Sequence, residues 1–166
     1  HYAVVKKKYS SKSKIQEYNN LSTNSMPYKN GKYYYTKYIR DKDKPASLYY
    51  RKTLNDEPQE LVNPYRIYKN NNVLLSSFSP SKSSTFLALK MSLDGSDRQE
   101  LRFCAIDKVT ILDDVVKNVK FSNIAWNEDK GVFYKKNSNK VVFERDSTFQ
   151  LYYHQLGTNQ ESDKLL

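Results

Sequence analysis

Residues 124–134, Ile-Ala-Trp-Asn-Glu-Asp-Lys-Gly-Val-Phe-Tyr, carry the pattern that decides the fold. An aromatic anchor, Trp126, comes first, a polar turn ending in Gly131 follows, and the apolar run Val132-Phe133-Tyr134 comes last. Asp and Gly between two apolar runs are typical of a tight turn that joins antiparallel strands. A further apolar run, residues 151–156, follows after a polar loop. The sequence therefore predicts a β-hairpin followed by another strand.

The same order of features occurs twice more upstream. The anchor aromatics Tyr28, Phe78 and Trp126 are 50 and 48 residues apart. Apolar runs follow each anchor, at residues 33–38 and 48–52 in the first unit and at residues 85–90 and 101–106 in the second. A period near 50 residues is typical of β-propellers and other repeat arrays.

These units predict an all-β fold, but they leave its architecture open. Short strands also recur at regular spacing in sandwiches and barrels. The runs at residues 86–89 and 132–134 are continuously apolar, which favours sheets covered on both faces, as in stacked blades. Closed propellers have about 4 to 8 blades, so three units predict part of a ring. Helix is predicted only as short turns at residues 14–21 and 113–118.

Composition excludes several other classes of protein. Cys104 is the only cysteine, so an internal disulfide is impossible, and one Cys with two His cannot form a tetrahedral zinc shell without carboxylates. We therefore expect no metal and no cofactor. No apolar run approaches the roughly 20 residues of a membrane-spanning helix, so no membrane partner is expected.

The chain begins at His1 rather than at a methionine. We therefore expect a processed form or a piece of a longer protein, here called the parent protein. The expected location is the cytoplasm, with the periplasm as the alternative.

The net charge of +10 lies entirely in residues 1–52, which hold 13 Lys and Arg against 3 acidic residues. Basic residues interleaved with tyrosines are one signature of nucleic-acid binding. A solvated basic arm or short helical segment at residues 1–25 is the simpler interpretation. A free-standing basic β-module that binds nucleic acid or an acidic polymer is therefore kept as the alternative function, and nucleic acid is not expected as a partner.

A resemblance to a known family favours the propeller among these folds. The stretches Val119-Lys120-Phe121-Ser122-Asn123-Ile124-Ala125-Trp126, Gly131-Val132-Phe133-Tyr134 and residues 151–163 resemble, in order and spacing, the N-terminal β-propeller of prolyl oligopeptidase family serine peptidases. Residues 78–80 are similar to the family's "FSPDG" turn, although Ser81 and Lys82 replace Asp-Gly, which leaves the turn geometry open. The resemblance covers residues 26–166 and is strongest in the last third.

The resemblance implies three antiparallel blades of a seven-bladed propeller at residues 26–166, in a peptidase that hydrolyses short peptides after proline. A branch of the family that prefers basic residues stays open as an alternative. The Ser-His-Asp triad belongs to an α/β-hydrolase domain expected beyond Leu166. The G-x-S-x-G elbow needs two glycines four apart, and no pair among the four glycines has that spacing. This chain is therefore expected to hold no catalytic residue.

Two residues receive roles from the resemblance. Phe121 matches a phenylalanine that reaches the substrate pocket from the propeller, and packing in a blade core is the competing interpretation. Asp97 matches an acid near the interface with the peptidase domain, and a solvated turn residue is the competing interpretation. The expected partners are a peptide substrate and the parent's own peptidase domain, and the chain alone is expected to self-associate through open blade edges.

Overall fold

The computed structural model describes residues 24–39, 44–120, 122–137 and 149–166. These residues form an all-β fold with one short helix and one 3₁₀ turn. The strands are β1 (Tyr28–Asn30), β2 (Tyr33–Tyr38), β3 (Ser47–Arg51), β4 (Gln59–Val62), β5 (Val73–Pro80), β6 (Phe86–Leu93), β7 (Gln99–Ala105), β8 (Thr110–Val119), β9 (Ala125–Asn127), β10 (Gly131–Asn137), β11 (Phe149–Gln155) and β12 (Lys164–Leu165). The helix is α1 (Pro64–Tyr68), and the 3₁₀ turn is Gln160–Ser162.

The strands form three antiparallel four-stranded meanders. Strands β1–β4 pair in chain order, as do β5–β8 and β9–β12. Among the described strands, one residue pair, Val119 with Lys136, joins the second meander to the third. We call these meanders the first, second and third blades of a partial β-propeller.

The core lies between blades rather than within them. Between the first and second blades, one cluster contains Tyr33, Tyr35, Leu48, Leu61, Val62, Val73, Leu75, Leu87, Leu89, Met91, Cys104 and Ile106. Between the second and third blades, another contains Ala88, Leu101, Phe103, Val116, Val119, Val132 and Tyr134. Strand β6 therefore serves both clusters, because alternate side chains of a strand point to opposite faces. Its continuous apolar sequence is explained by burial on both faces, as predicted.

The three anchor aromatics occupy equivalent places, in the first strand of each blade. The rings of Tyr28 and Phe78 meet edge to face, with centroids 6.4 Å apart. Trp126 donates its indole Nε1–H to the carbonyl oxygen of Ser79 at 2.9 Å. The 50-residue repeat of the sequence thus marks where each blade touches its neighbour.

The prediction of a helical turn at residues 113–118 is wrong, because these residues lie in β8. Val115 and Val116 are β-branched and pair with Arg102 and Leu101 of β7, so sheet pairing prevails over the local polar pattern. The helical prediction at residues 14–21 lies outside the described residues.

The sequence interpretation also missed three strands and one helix: β4, β8, β12 and α1. Helix α1 has the expected start signals, since Pro64 opens it and the Asn63 side chain accepts a hydrogen bond from the Arg66 N–H at 3.2 Å. Each unit consequently contains four strands, where the apolar runs had indicated fewer.

The turn that departs from the family pattern is held by its serines. Ser83 Oγ donates to Asp129 Oδ2 of the third blade at 2.5 Å, and Ser84 Oγ accepts from the Lys32 N–H of the first blade at 3.1 Å. Hydrogen bonds from Ser81 and Ser83 lower the pKa of Asp129. The first turn of each blade, which joins its first and second strands, is therefore in contact with the first turn of a neighbouring blade. Gly31 is required there, because its φ is 58° and an added Cβ would lie 2.0 Å from Ser84 Oγ.

The opposite end carries the connections between blades. Residues 63–72 and residues 120 and 122–124 lie there, together with the β6–β7 turn at residues 94–98. The Asp94 N–H donates to the Asn72 carbonyl oxygen at 3.0 Å. We call this the Asp97 end of the propeller.

Gly131→Ala in the parent protein is expected to lower the free energy of unfolding by about 3 kcal/mol, a typical upper value for overpacking. The added Cβ would lie 2.1 Å from the His154 carbonyl oxygen, which is backbone and cannot move aside. Gly95→Ala is the control. No heavy atom lies within 4 Å of the Cβ that this alanine would add, and only the φ of 71° at this position disfavours alanine. Equal melting temperatures for the two variants would contradict this packing of β10 on β11.

Candidate functional site

The connection between β8 and β9 is the segment in which the sequence predicts a substrate contact. It leads from the second blade into the third at the Asp97 end. Ser122, in its middle, is 1% exposed. Its hydroxyl accepts the Lys135 N–H and donates to the Asn123 carbonyl oxygen, both at 2.8 Å. The connection is therefore fixed on its third-blade side.

Lys90 holds the same connection from the second blade. Its side chain lies on the face of β6 that also carries Ala88, and its Nζ donates to the Ser122 carbonyl oxygen at 3.1 Å. A hydrogen bond from a charged donor contributes about 1.5–3 kcal/mol. The sequence interpretation missed both Lys90 and Ser122, because a contact between residues 32 positions apart leaves no local signal.

Asp97 meets the beginning of this connection. Its Oδ2 lies 2.8 Å from Lys120 Nζ, and the Asp97 side chain is 60% exposed whereas that of Lys120 is 14% exposed. The hydrogen bond from Lys120 lowers the pKa of the Asp97 carboxyl. A lowered pKa keeps Asp97 charged at neutral pH, so the ion pair is lost only as the pH falls below the ordinary aspartate range.

The structure describes the position of one of the two predicted site residues and leaves both predicted roles untested. Phe121 lies outside the described residues, and its role in substrate binding stays a prediction. The structure describes both of its neighbours, Lys120 and Ser122, and places each in a specific polar contact. Asp97 lies in the β6–β7 turn beside that connection, and its role at a domain interface also stays a prediction.

A buried polar network lies towards the other end of the third blade. His154 is 0% exposed, and its Nδ1 lies 2.7 Å from Asp163 Oδ1. Because a carboxylate only accepts, Nδ1 carries the proton. Tyr134 donates its hydroxyl to Asp163 Oδ2 at 2.8 Å. Burial, together with this carboxylate, raises the pKa of Tyr134.

The network reaches the second blade through β8. The Asp114 carboxylate accepts the Gly157 N–H at 2.7 Å and lies 3.8 Å from His154 Nε2. The Gln160 side-chain amide exchanges two hydrogen bonds with the backbone of Lys117, at 2.9 and 3.0 Å. The His154 ring also stacks on Phe103, with centroids 5.5 Å apart. These contacts join the second and third blades.

His154 is therefore placed for packing between blades. Two acids, Asp163 and Asp114, flank the ring. The sequence pattern did not show these acids, because they lie 9 and 40 positions from His154 and only the strand geometry brings them beside it. In the described residues no contact joins the ring to a serine hydroxyl, and its complete burial keeps it from a substrate.

The described residues give little support for a metal site, a reactive thiol or a membrane-spanning helix. No cluster of three or more His, Cys, Asp or Glu side chains suited to a metal ion occurs among them. Cys104 is 0% exposed, and burial raises its thiol pKa to about 12, as expected for a small core residue. Within the same part of the chain, no helix is long and apolar enough to cross a membrane.

Sequence comparison gives the family. The family model described as "Prolyl oligopeptidase, N-terminal beta-propeller domain" matches residues 3–166. A prolyl endopeptidase of Elizabethkingia meningoseptica is 30% identical over 160 residues, which cover 93% of this chain and 22% of the relative. The chain therefore belongs to the prolyl oligopeptidase family, as part of its N-terminal β-propeller.

Solved structures have the same fold. Prolyl oligopeptidase B of Galerina marginata, bound to a 35mer hydrolysis and macrocyclization substrate, has a TM-score of 0.75 at 21% identity, over 99% of this chain and 26% of its own. Oligopeptidase B of Leishmania major has a TM-score of 0.72 at 14% identity, over 96% and 24% of the respective chains. The chain spans only about a quarter of the length of these proteins.

Asp163→Asn in the parent protein is expected to lower the free energy of unfolding by about 2 kcal/mol. The carboxylate accepts from both His154 and Tyr134, whereas an amide offers one oxygen and turns a donor towards the other partner. Chemical denaturation measures the loss. In a double-mutant cycle, Tyr134→Phe should cost less in the Asp163→Asn background than in the wild type.

Glu161→Gln is the control for this prediction, because Glu161 is exposed in the neighbouring 3₁₀ turn. It is expected to change the stability by less than about 0.5 kcal/mol. An Asp163→Asn variant as stable as Glu161→Gln would contradict the role of the network.

Proposed function

We propose that this chain is the non-catalytic, substrate-gating part of a serine peptidase that hydrolyses short peptides on the carboxyl side of proline. Family membership across residues 3–166 is the observation that carries the proposal. The chain holds no G-x-S-x-G elbow, so acyl transfer by a Ser-His-Asp triad is assigned to a peptidase domain elsewhere in the parent protein.

In this proposal the propeller restricts access to the active site. A ring of blades over a peptidase domain admits peptides by size, and the Asp97 end faces the peptidase domain. Asp97 then lies at the domain interface, where its exposed carboxylate is available for a contact in addition to Lys120. The partners are the peptide substrate and the peptidase domain of the same polypeptide.

The β8–β9 connection supplies the direct contact with substrate. The Phe121 ring packs against a substrate side chain near the scissile proline and contributes about 1–3 kcal/mol of binding by burial. Lys90 and Lys120 support this role, because they fix the residues on either side of Phe121 through the contacts described above. Such fixation lowers the entropy that a binding residue loses when the substrate arrives.

A preference for proline is favoured over a preference for basic residues, because the Elizabethkingia meningoseptica relative described above, which is 30% identical to this chain, is a prolyl endopeptidase. The similarity to oligopeptidase B rests on the fold alone. A comparison of peptides with Pro or Arg before the scissile bond decides between the two. A cytoplasmic location, with the periplasm as the alternative, belongs to the same proposal and is tested by cell fractionation.

The free-standing basic module is the weaker candidate. Several described cations of residues 1–52 make contacts inside the chain: Lys29 lies over the Tyr34 ring at 4.4 Å, and Arg51 donates to the Leu54 carbonyl oxygen at 2.8 Å. Binding to nucleic acid that weakens steeply with salt would favour it nonetheless. Self-association of the isolated chain through blade edges stays a prediction that light scattering tests.

Phe121→Ala in the parent protein is expected to raise KM for a proline-containing peptide about tenfold, with a smaller effect on kcat. The reason is that the variant loses about 1.4 kcal/mol of binding free energy that the ground state and the transition state share, and such a loss raises KM rather than lowering kcat. Steady-state kinetics measures both constants. Unchanged KM and kcat would leave Phe121 as a core residue only.

Lys90→Met is expected to raise KM about threefold, because it releases the Ser122 carbonyl oxygen and loosens the connection without removing the ring. Lys37→Met is the matched control, since Lys37 Nζ donates in the same way to the Leu75 carbonyl oxygen at 2.7 Å, away from this connection. Lys37→Met should lower the melting temperature and leave KM unchanged. Equal KM values for the two variants would remove Lys90 from the site.

A further inference from the structure

A pocket of about 410 Å³ lies between the first and second blades, at the end opposite the Asp97 end. Its lining comes from the adjoining ends of β2, β3 and β4, from the β3–β4 turn at residues 52–58, and from the β7–β8 turn at residues 106–109. We call it the interblade pocket. Pockets that hold small molecules have volumes of about 300–1,000 Å³, so this one has room for a ligand of about the size of a dipeptide.

Two tyrosines form the most buried part of its lining. The rings of Tyr33 and Tyr50 meet edge to face, with centroids 5.2 Å apart, and Tyr33 is 8% exposed. Near them, the Tyr35 hydroxyl is buried and has no hydrogen-bond partner among the described residues. Tyrosine rings offer a surface on which an apolar side chain packs, and their hydroxyls can donate to a ligand oxygen.

The first blade contributes two cations to the interblade pocket, Arg51 and Lys52. Arg51 uses its Nη1 to donate to the Leu54 carbonyl oxygen at 2.8 Å. Its Nε is buried and has no hydrogen-bond partner within the described part of the chain. A buried charged donor without an acceptor is costly, so a ligand oxygen that reaches this nitrogen is bound favourably.

Two carboxylates line the same pocket, Glu57 from the first blade and Asp107 from the second, and both residues are exposed. Burial raises the pKa of Tyr50, and the nearby Tyr33 and Asp107 add to that effect, so Asp107 lies close to the tyrosine wall. A third carboxylate of the lining, Asp56, already accepts a backbone N–H of its own turn at 2.8 Å. Glu57 and Asp107 are therefore the acids open to a ligand.

The charges of the interblade pocket thus balance, with two cations and two available carboxylates. None of the four side chains forms a salt bridge with another described side chain. A ligand with a net charge of either sign would be repelled by half of this set, whereas a ligand with one charge of each sign is attracted by both halves. The α-ammonium and α-carboxylate groups of a free dipeptide are such a pair near neutral pH.

We propose that the interblade pocket binds a free dipeptide as a zwitterion. The two available carboxylates hold its ammonium group, the two cations hold its carboxylate, and an apolar side chain of the ligand packs on the two tyrosine rings. Because Asp107 belongs to the second blade and the other three charged residues belong to the first, the bound dipeptide links the two blades. This binding is separate from the proposed peptidase function and does not depend on it.

Isothermal titration calorimetry of glycyl-leucine into the intact parent protein at pH 7 tests the proposal. Saturable binding is expected. N-acetylglycyl-leucine and glycyl-leucinamide each lack one of the two charges, and each is expected to bind at least about tenfold more weakly, because a charge-assisted hydrogen bond is lost. Equal binding of the three ligands, or no saturable binding of glycyl-leucine up to millimolar concentration, would overturn the proposal.

Variants then place the ligand in this pocket. In the double variant Glu57→Gln, Asp107→Asn, acetylation of the ligand is expected to weaken binding by less than about twofold, since the partner charges are already missing. In Lys52→Met, the penalty for amidation is expected to fall at least about threefold, because Arg51 remains. Lys108→Met is the control, since Lys108 is exposed in the same turn as Asp107 but does not line the pocket.

Lys108→Met should leave the affinities for all three ligands unchanged. Penalties for acetylation and amidation that stay at their wild-type values in the lining variants would place the dipeptide elsewhere in the parent protein and overturn the proposal. Since every readout is a binding constant, a negative result leaves the proposed peptidase function untouched.

Discussion

The structure depends on the burial of each blade's face against the next blade. A single four-stranded sheet has two faces and no core of its own, so its apolar side chains are removed from water only by a neighbouring sheet. The second blade shows the consequence most clearly. Leu87, Leu89 and Met91 of β6 pack towards the first blade and Ala88 towards the third, and all four are 0% exposed. At about 1.5–3 kcal/mol for each large apolar side chain buried, these interfaces dominate the energetics of the described residues.

Polar contacts fix how the blades are aligned, and they differ between the two ends. At the end with the first turns, serine hydroxyls link three turns, and the network of His154, Asp163 and Tyr134 lies beneath the last one. At the Asp97 end, charged side chains reach backbone carbonyls or each other, through Lys37, Lys90 and the ion pair of Asp97 with Lys120. Lys120 and Ser122, at the β8–β9 connection, are therefore held by contacts from two blades at once.

Features that follow from local pattern were predictable from the sequence. The anchor aromatics, the hairpin turns and the burial on both faces of β6 are read from apolar periodicity and turn residues, and the resemblance gave the family. Strand β8 was not predictable in this way, because its Asp-Asp-Val-Val-Lys-Asn core gives no clear alternation and is kept extended by pairing with β7. The acids around His154 and the acceptor of Lys90 come from distant strands, and only the register of the sheets brings them together.

An experimental structure of the intact parent protein tests the central claim most directly. We expect residues 24–166 to form three consecutive blades of a larger ring, with the peptidase domain seated on the end that carries Asp97 and the β8–β9 connection. A peptidase domain on the opposite end, against the turns that contain Gly31, Ser83 and Asp129, would contradict the account. A ring closed by these three blades alone would contradict it as well.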